Sequence, residues 1–177
     1  TAASVARATV AVDGALALTR RVTPRILAYA TRLLGGDRAE AEDVAQETML
    51  RLWRQAPEWR PGETKVTTWA YRVATNLAID RQRSRRRRGQ MALDAAPEIA
   101  DSAPGAEARL QQAQRLSALE AALATLPDRQ RQAVVLRHIE GLANPEIAAI
   151  LAIGVEAVES LTARGKRALA AALSGQS

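Results

Sequence analysis

Cysteine and phenylalanine are absent from this chain, histidine occurs once, and tryptophan and tyrosine together supply 5 of 177 residues. Without cysteine there are no disulfides and no thiolate metal sites, which is compatible with a reducing compartment. The lone His138 has no second ligand and no Ser/Asp constellation, so it is read as structural. The carboxylates Glu40, Glu42, Asp43 and Glu47 lack a matching carboxylate or histidine pair on another helix. No metal site, cofactor or catalytic activity is therefore expected. No apolar run approaches a membrane span and the N-terminus carries no signal-peptide pattern. The expectation is a soluble, cytoplasmic protein with no membrane contact of its own. Alternating β-type runs are missing while helical spacing recurs, so the fold class expected is all-α.

Charge is abundant and unevenly placed. The net charge is +6. Residues 1–88 carry 17 basic and 9 acidic side chains (+8), residues 89–112 carry 1 and 4 (−3), and residues 113–177 carry 7 and 6 (+1). A polyanion is thus drawn mainly to the N-terminal half. The stretch 89–108, GQMALDAAPEIADSAPGAEA, is rich in Pro, Gly and Ala without usable periodicity, and helical patterning resumes around 107–125. The expected organisation is two small helical domains, 1–88 and 113–177, joined by a flexible linker over 89–112.

In the first domain, helices are expected over about 16–34, stopped by Gly35-Gly36, over 37–55 with Asp37 as N-cap, and over 66–86. The second helix contains AEAEDVAQETMLRLW. Its expected buried stripe is Val44, Thr48 and Leu52 with Ala45, Met49 and Trp53. Asp43, Gln46, Glu47, Leu50 and Arg54 fall on the other side. A leucine amid carboxylates and an amide suits a basic protein partner; a solvated helix face with one stray leucine is the plain alternative.

The third helix has an expected inner stripe of Val66, Trp69, Ala70, Val73 and Leu77. It ends in RQRSRRRR, with six arginines between Arg81 and Arg88. That density favours phosphates, whose counterions are released on binding, over a basic tail, an import signal or an anionic membrane. Upstream, WRPGETKVTTWAYR sets Trp59, Thr64, Lys65, Thr67, Thr68 and Tyr71 around a Pro-Gly turn, which fits capture of an unstacked base. Trp69 at a core position argues instead for packing. Asn76 and Asp80 have two open roles, a bond to a neighbouring helix or, for Asn76, a bond to a base.

The second domain contains LPDRQRQAVVLRHIEGLANPEIAAILAIGVEAVESLTARGKRAL. Asn144 is the expected cap of a short helix over 145–151, and a turn at 152–154 leads into a helix over 155–169. Ile147, Leu151, Ile153, Val158 and Leu161, with the small Ala148, have the spacing of a helix-turn-helix; a plain helical hairpin is the alternative.

Together these segments resemble the extracytoplasmic-function group of bacterial sigma factors, over about 16–88 and 119–173. AEDVAQETMLRLW resembles the core-polymerase-binding segment of sigma domain 2. TTWAYRVATNLAIDRQRSRRR resembles the helix that melts and reads the −10 promoter element. The C-terminal run resembles the −35-reading helix-turn-helix of domain 4. The resemblance implies that Asp43, Gln46, Glu47 and Leu50 bind core RNA polymerase. It implies that Lys65, Thr67, Arg72, Asn76, Arg83, Arg85 and Arg86 face −10 DNA. Glu156, Ala157, Glu159, Ser160, Ala163, Arg164, Lys166 and Arg167 would face −35 DNA. It further implies an anti-sigma partner, and a linker threaded through the RNA exit path. The chain departs from the pattern at the short 1–15 segment, which lacks a Gly-Asp turn. It departs again at Glu159 and Leu161, which are commonly Lys and Arg, and at Gly154, commonly a Ser or Thr cap. Two other functions share these features: a stand-alone dimeric helix-turn-helix regulator, and an adaptor that binds a protein through 43–54 and never opens DNA.

Overall fold

The computed structural model describes residues 2–56, 65–89 and 105–175. Among them are seven α-helices and no strand: α1 Ala2–Leu33, α2 Arg38–Gln55, α3 Val66–Arg87, α4 Ala106–Thr125, α5 Asp128–Val134, α6 Asn144–Leu151 and α7 Val155–Ser174. Helix α1 begins well before the expected Leu16. Alanine dominates that early stretch, and it favours helix without marking a face, so periodicity does not reveal it. The portion 106–112 of the expected linker is likewise helical, as the first turns of α4.

Helix α1 stops where two glycines take left-handed backbone, Gly35 at φ +67° and Gly36 at φ +87°, and Gly36 N–H bonds to the Thr31 carbonyl at 2.9 Å. Asp37 then caps α2, its Oδ1 accepting from Glu40 N–H at 3.1 Å. Helix α2 buries Ala41, Val44, Ala45, Thr48, Met49 and Leu52. Trp53 departs from the expected stripe: it is 47% exposed, and its indole N–H donates to Thr19 Oγ1 at 2.9 Å. An indole at the edge of a stripe buries its ring while keeping its polar end near water.

The inner face of α3 is also rotated from expectation. Thr68, Ala70, Tyr71, Ala74, Thr75 and Ala78 are buried, whereas Val66, Trp69, Val73 and Leu77 are only half-buried. Specific contacts turn the helix. The Tyr71 ring meets Tyr29 of α1 edge to face, with centroids 5.2 Å apart. Thr75 Oγ1 donates to the Tyr71 carbonyl at 2.7 Å, so the Tyr29 hydroxyl must donate in its 2.7 Å bond to Thr75. Burial raises the Tyr29 pKa and keeps that hydroxyl protonated.

In the C-terminal unit, α5 continues into a π-helical turn, Val135–Ile139. Ile147, Leu151 and Val158 are buried and Ile153 and Leu161 half-buried, so α6 and α7 pack as the expected helix-turn-helix. The cap of α6 is Ala143 rather than Asn144. The Ala143 carbonyl accepts from Ile147 N–H at 3.1 Å, and its N–H donates to the Glu146 carboxylate at 3.2 Å. Ala152 makes the turn at φ +53°.

The two units share one continuous apolar core running from Val22 of α1 to Val158 of α7. Across it, Arg131 of α5 donates Nε to the Leu123 carbonyl at 2.8 Å and its two terminal nitrogens to Ala124, Leu126 and, in the other unit, Leu33.

Helix α7 approaches α5 most closely at Gly165, where an added Cβ would lie 2.5 Å from Val134 Cγ2 and 3.2 Å from the Gln130 carbonyl. Val134 is buried and cannot swing aside. Gly165→Ala is therefore expected to destabilise the protein by about 1–3 kcal/mol through overpacking, read as a lowered midpoint in chemical denaturation.

Candidate protein-binding groove and nucleic-acid surfaces

Three surfaces carry the residues singled out from the sequence. The first is an open groove of about 460 Å³ between α1 and α2. Leu27, Ala45 and Met49 form its floor, Leu50 and Trp53 its walls, and Glu42 and Gln46 stand on its rim. Leu50 is 44% exposed. Of the four expected polymerase-contacting residues, Gln46 and Leu50 line this groove. Asp43 and Glu47 stand beside it in solvent-exposed ion pairs, Asp43 with Arg81 at 3.6 Å and Glu47 hydrogen-bonded to Arg51 at 2.9 Å. Trp53, expected in the buried stripe, was missed as a groove residue. The apolar spacing Met49, Leu50, Trp53 on the outer flank of the helix was the available signal.

The second surface is the outer face of α3. Lys65, Arg72, Asn76, Asp80, Arg83 and Arg87 follow one another at helical spacing and are all exposed. Asn76 and Asp80 have no side-chain hydrogen bond among the described residues, and the structure thus gives Asn76 no neighbouring-helix partner. Thr67 is half-buried. The expected arginine set divides by partner. Arg85 is turned inward, bonded to the Asp37 carboxylate and to the Leu34 carbonyl at 3.4 Å; its cation serves helix ends and is not an open phosphate contact. Arg86 pairs with Asp128 of the C-terminal unit at 2.6 Å and Lys65 with Glu146 at 2.9 Å. Arg72, Arg83, Arg87 and Arg88 make no ion pair among the described residues. The whole run was expected to meet phosphates, because a run of arginines does not show which of them face outward. Thr68 and Tyr71 are buried and unavailable to a base; Trp59 and Thr64 lie outside the described residues.

The third surface is α7. Glu156, Ala157, Glu159, Ser160, Ala163, Arg164, Lys166 and Arg167 are all exposed. Ser160 Oγ accepts from Arg164 at 2.9 Å, which orients that guanidinium. Gly154 at the helix start offers no side-chain cap. His138 is exposed, and its pKa is lowered by partial burial and by neighbouring Lys166 and Arg137. No cluster suited to a metal occurs among the described residues, and none of their helices is long and apolar enough to cross a membrane.

Family models of Sigma-70 region 2 and Sigma-70 region 4 match residues 18–88 and 116–169. The chain is 38% identical over 156 residues to the ECF RNA polymerase sigma factor SigE of Mycolicibacterium smegmatis, covering 86% of this chain and 58% of that protein. It is 30% identical over 158 residues to the RNA polymerase sigma factor CnrH of Cupriavidus metallidurans, covering 85% and 82%. The structure of CnrH in complex with the cytosolic domain of CnrY superimposes with a TM-score of 0.65 at 27% identity, covering 96% of both chains. For the sigma factor RpoE with the anti-sigma factor NepR, from Bartonella quintana, the TM-score is 0.71 at 23% identity, over 86% of this chain and 92% of that one. The α3 surface thus lies in a sigma region 2 and the α7 surface in a sigma region 4. The chain belongs to the extracytoplasmic-function group of the sigma-70 family.

The exposure pattern separates phosphate contacts from structural cations. Changing Arg72, Arg83 and Arg87 together to Ala should weaken single-stranded DNA binding and flatten its salt dependence by about 0.7 log units per lost contact. Arg85→Ala should instead cost stability, about 1–2 kcal/mol, with a smaller effect on the salt slope. Titration by fluorescence anisotropy at several salt concentrations, beside urea melts, reads both.

Proposed function

We propose that this chain is a promoter-specificity subunit that binds core RNA polymerase and directs it to promoters through two DNA elements. The observation that carries this reading is the co-existence, in one chain of the sigma-70 family, of an exposed apolar groove and two separate basic helix faces. Region 2 is assigned to 1–88 and region 4 to 113–177, with 89–112 joining them and merging into α4 from Ala106.

In this scheme the α1/α2 groove takes an apolar knob from the polymerase. Asp43, Glu42 and Glu47 meet basic residues around it, and Gln46, Leu50 and Trp53 supply the desolvated centre. Arg72, Arg83, Arg87 and Arg88 hold phosphates of the −10 segment, with Lys65 and Arg86 joining them once released from their carboxylates. Asn76 is the residue of this face placed to bond an unstacked base, and Thr67 borders it. Opening base pairs costs about 1.4 kcal/mol per step in stacking, so the free chain is a poor ligand for closed promoter DNA. On α7, Arg164, Lys166 and Arg167 bind phosphates, while Glu156, Ala157, Glu159, Ser160 and Ala163 face the bases of the −35 element. The chain performs no bond-making chemistry of its own and works where polymerase does, in the cytoplasm. An anti-sigma protein is its proposed regulator, since the RpoE and CnrH structures were obtained with NepR and CnrY.

Run-off transcription from a randomised promoter library with core polymerase tests the whole reading. Transcripts dependent on the chain, initiating downstream of two shared sequence boxes, are expected. Leu50→Asp or Asp43→Arg should lower retention on immobilised core polymerase at least about tenfold, or roughly 1.4 kcal/mol, with an unchanged helical spectrum. Wild-type protein that neither binds core polymerase nor supports transcription refutes the proposal.

A further inference from the structure

Helix α7 carries its charges in two separate blocks. Residues 155–163 hold Glu156 and Glu159 and no basic side chain, whereas Arg164, Lys166 and Arg167 all follow. Val158 and Gly165 are the buried positions of the helix. At 3.6 residues per turn, the line opposite them is Glu156, Ser160, Ala163 and Arg167, with Glu159 and Lys166 on one flank and Arg164 on the other. Both glutamates are exposed. Neither side chain makes a hydrogen bond or ion pair among the described residues. Arg164 donates instead to Ser160, to its carbonyl at 3.4 Å and its hydroxyl at 2.9 Å.

The second helix of a helix-turn-helix sets its N-terminal residues against base edges in the major groove. The two charge blocks fit that pose in one orientation only. Carboxylates then lie over bases, where there is no phosphate, and the cations farther along reach the backbone. The opposite orientation would press two carboxylates onto phosphates. In the groove these carboxylates leave water, and a desolvated carboxylate is costly unless a donor meets it. Only two groups donate there, the N4 amino group of cytosine and the N6 amino group of adenine. Adenine sets its N7 acceptor beside N6, and that lone pair repels a carboxylate; cytosine has no acceptor of its own on this edge. Guanine N7 and O6 and thymine O4 are acceptors and repel it outright. Glu156 and Glu159 lie about 4.5 Å apart along the axis at 1.5 Å per residue. That is on the order of one base step, about 3.4 Å, so each meets a base pair of its own.

We propose that Glu156 and Glu159 are specificity-determining residues that each accept from a cytosine N4 amino group, so that the −35 element carries two base pairs with cytosine toward α7. The inference rests on the assignment of α7 as the −35-facing helix, and it names the base that this helix selects. The same two charges repel the backbone of any duplex. They therefore lower affinity for DNA in general while raising discrimination between sequences.

The test incubates the full chain at low salt with a randomised duplex library and sequences the DNA it retains, beside its affinity for one fixed, unrelated duplex. The unaltered chain should favour cytosine at two positions, by at least about fivefold over each other base, the low end for a matched side chain and base. Glu156→Gln should convert one of these positions from cytosine to adenine, because an amide both donates and accepts and so matches adenine N6 and N7. Glu159→Gln should convert the other. Glu156→Ala should level its position while tightening binding to the unrelated duplex. A carboxylate that merely favours the helix dipole at the start of α7 would leave base preference unmoved. Preferences unchanged in both glutamine variants overturn the proposal, even where affinity for every sequence rises. An unaltered chain with no preference, or with guanine or thymine at those positions, overturns it as well. Arg164→Ala with Lys166→Ala and Arg167→Ala separates the inference from the reading beneath it. If this triple change weakens duplex binding while the glutamine variants keep the original preference, α7 binds DNA but its carboxylates do not read it. If the triple change leaves duplex binding intact, the −35 assignment of α7 has failed and the inference with it.

Discussion

One guanidinium lies where the ends of two helices from different units meet. Arg131 is 8% exposed and has no carboxylate within ion-pair distance among the described residues; four backbone carbonyls take its place. Leu123, Ala124 and Leu126 belong to the C-terminal end of α4, and Leu33 to that of α1. The last carbonyls of a helix have no partner within it and carry the negative end of its dipole, so a buried cation there satisfies acceptors from both helices at once. Burial acts against its charge and lowers its pKa, which four directed hydrogen bonds offset. Gln82 and Arg85 of α3 add donors to the same end of α1, at Leu33 and Leu34. The end of α1 is thereby tied to its own unit by α3 and to the second unit by α5.

The rest of the molecule follows from that tie. With α5 fixed against α1, the π-helical turn delivers Glu140 to Tyr71, and α6 lies along α3 with Glu146 at Lys65. Helix α7, packed on α5 through Gly165, is left with its basic side facing solvent. The groove between α1 and α2 lies clear of these cross-unit bonds, open to a protein partner. The α1/α2 groove, the outer face of α3 and the outer face of α7 thus differ in accessibility: the first and third are open, and the second shares Lys65 and Arg86 with carboxylates of the C-terminal unit.

Most helices were legible in the sequence because their signals are local. Gly35-Gly36, the Asp37 cap, the Pro-bearing start of α6 and the apolar spacing of α6–α7 each specify a boundary or a face without reference to the rest of the chain. What was not legible depends on distant partners. The rotation of α3 follows from Tyr71 meeting Tyr29 and Thr75, which no periodicity within α3 encodes. Trp53 satisfies the inner spacing of α2 yet lies over Thr19 of α1. Arg85, Arg86 and Arg87 look alike in a run of arginines, but one serves helix ends, one pairs with Asp128 and one faces solvent. Arg131 itself carried no sequence signal, since a charged side chain is ordinarily expected outside. The stretch 89–112 suggested a tether holding two independent bodies, whereas the described parts on either side of it pack against each other.

If Arg131 joins the two units, its loss must be felt in both, and the tryptophans report one of them. All three, Trp53, Trp59 and Trp69, lie in the N-terminal unit, so their fluorescence reports that unit alone while Arg131 belongs to the other. Urea unfolding of Arg131→Met should lower the tryptophan-detected midpoint along with the midpoint seen by far-ultraviolet circular dichroism, because Leu33 loses a donor and α1 a neighbour. A tryptophan-detected transition identical to that of the unaltered protein, beside a shifted helical signal, would mean that Arg131 does not join the units.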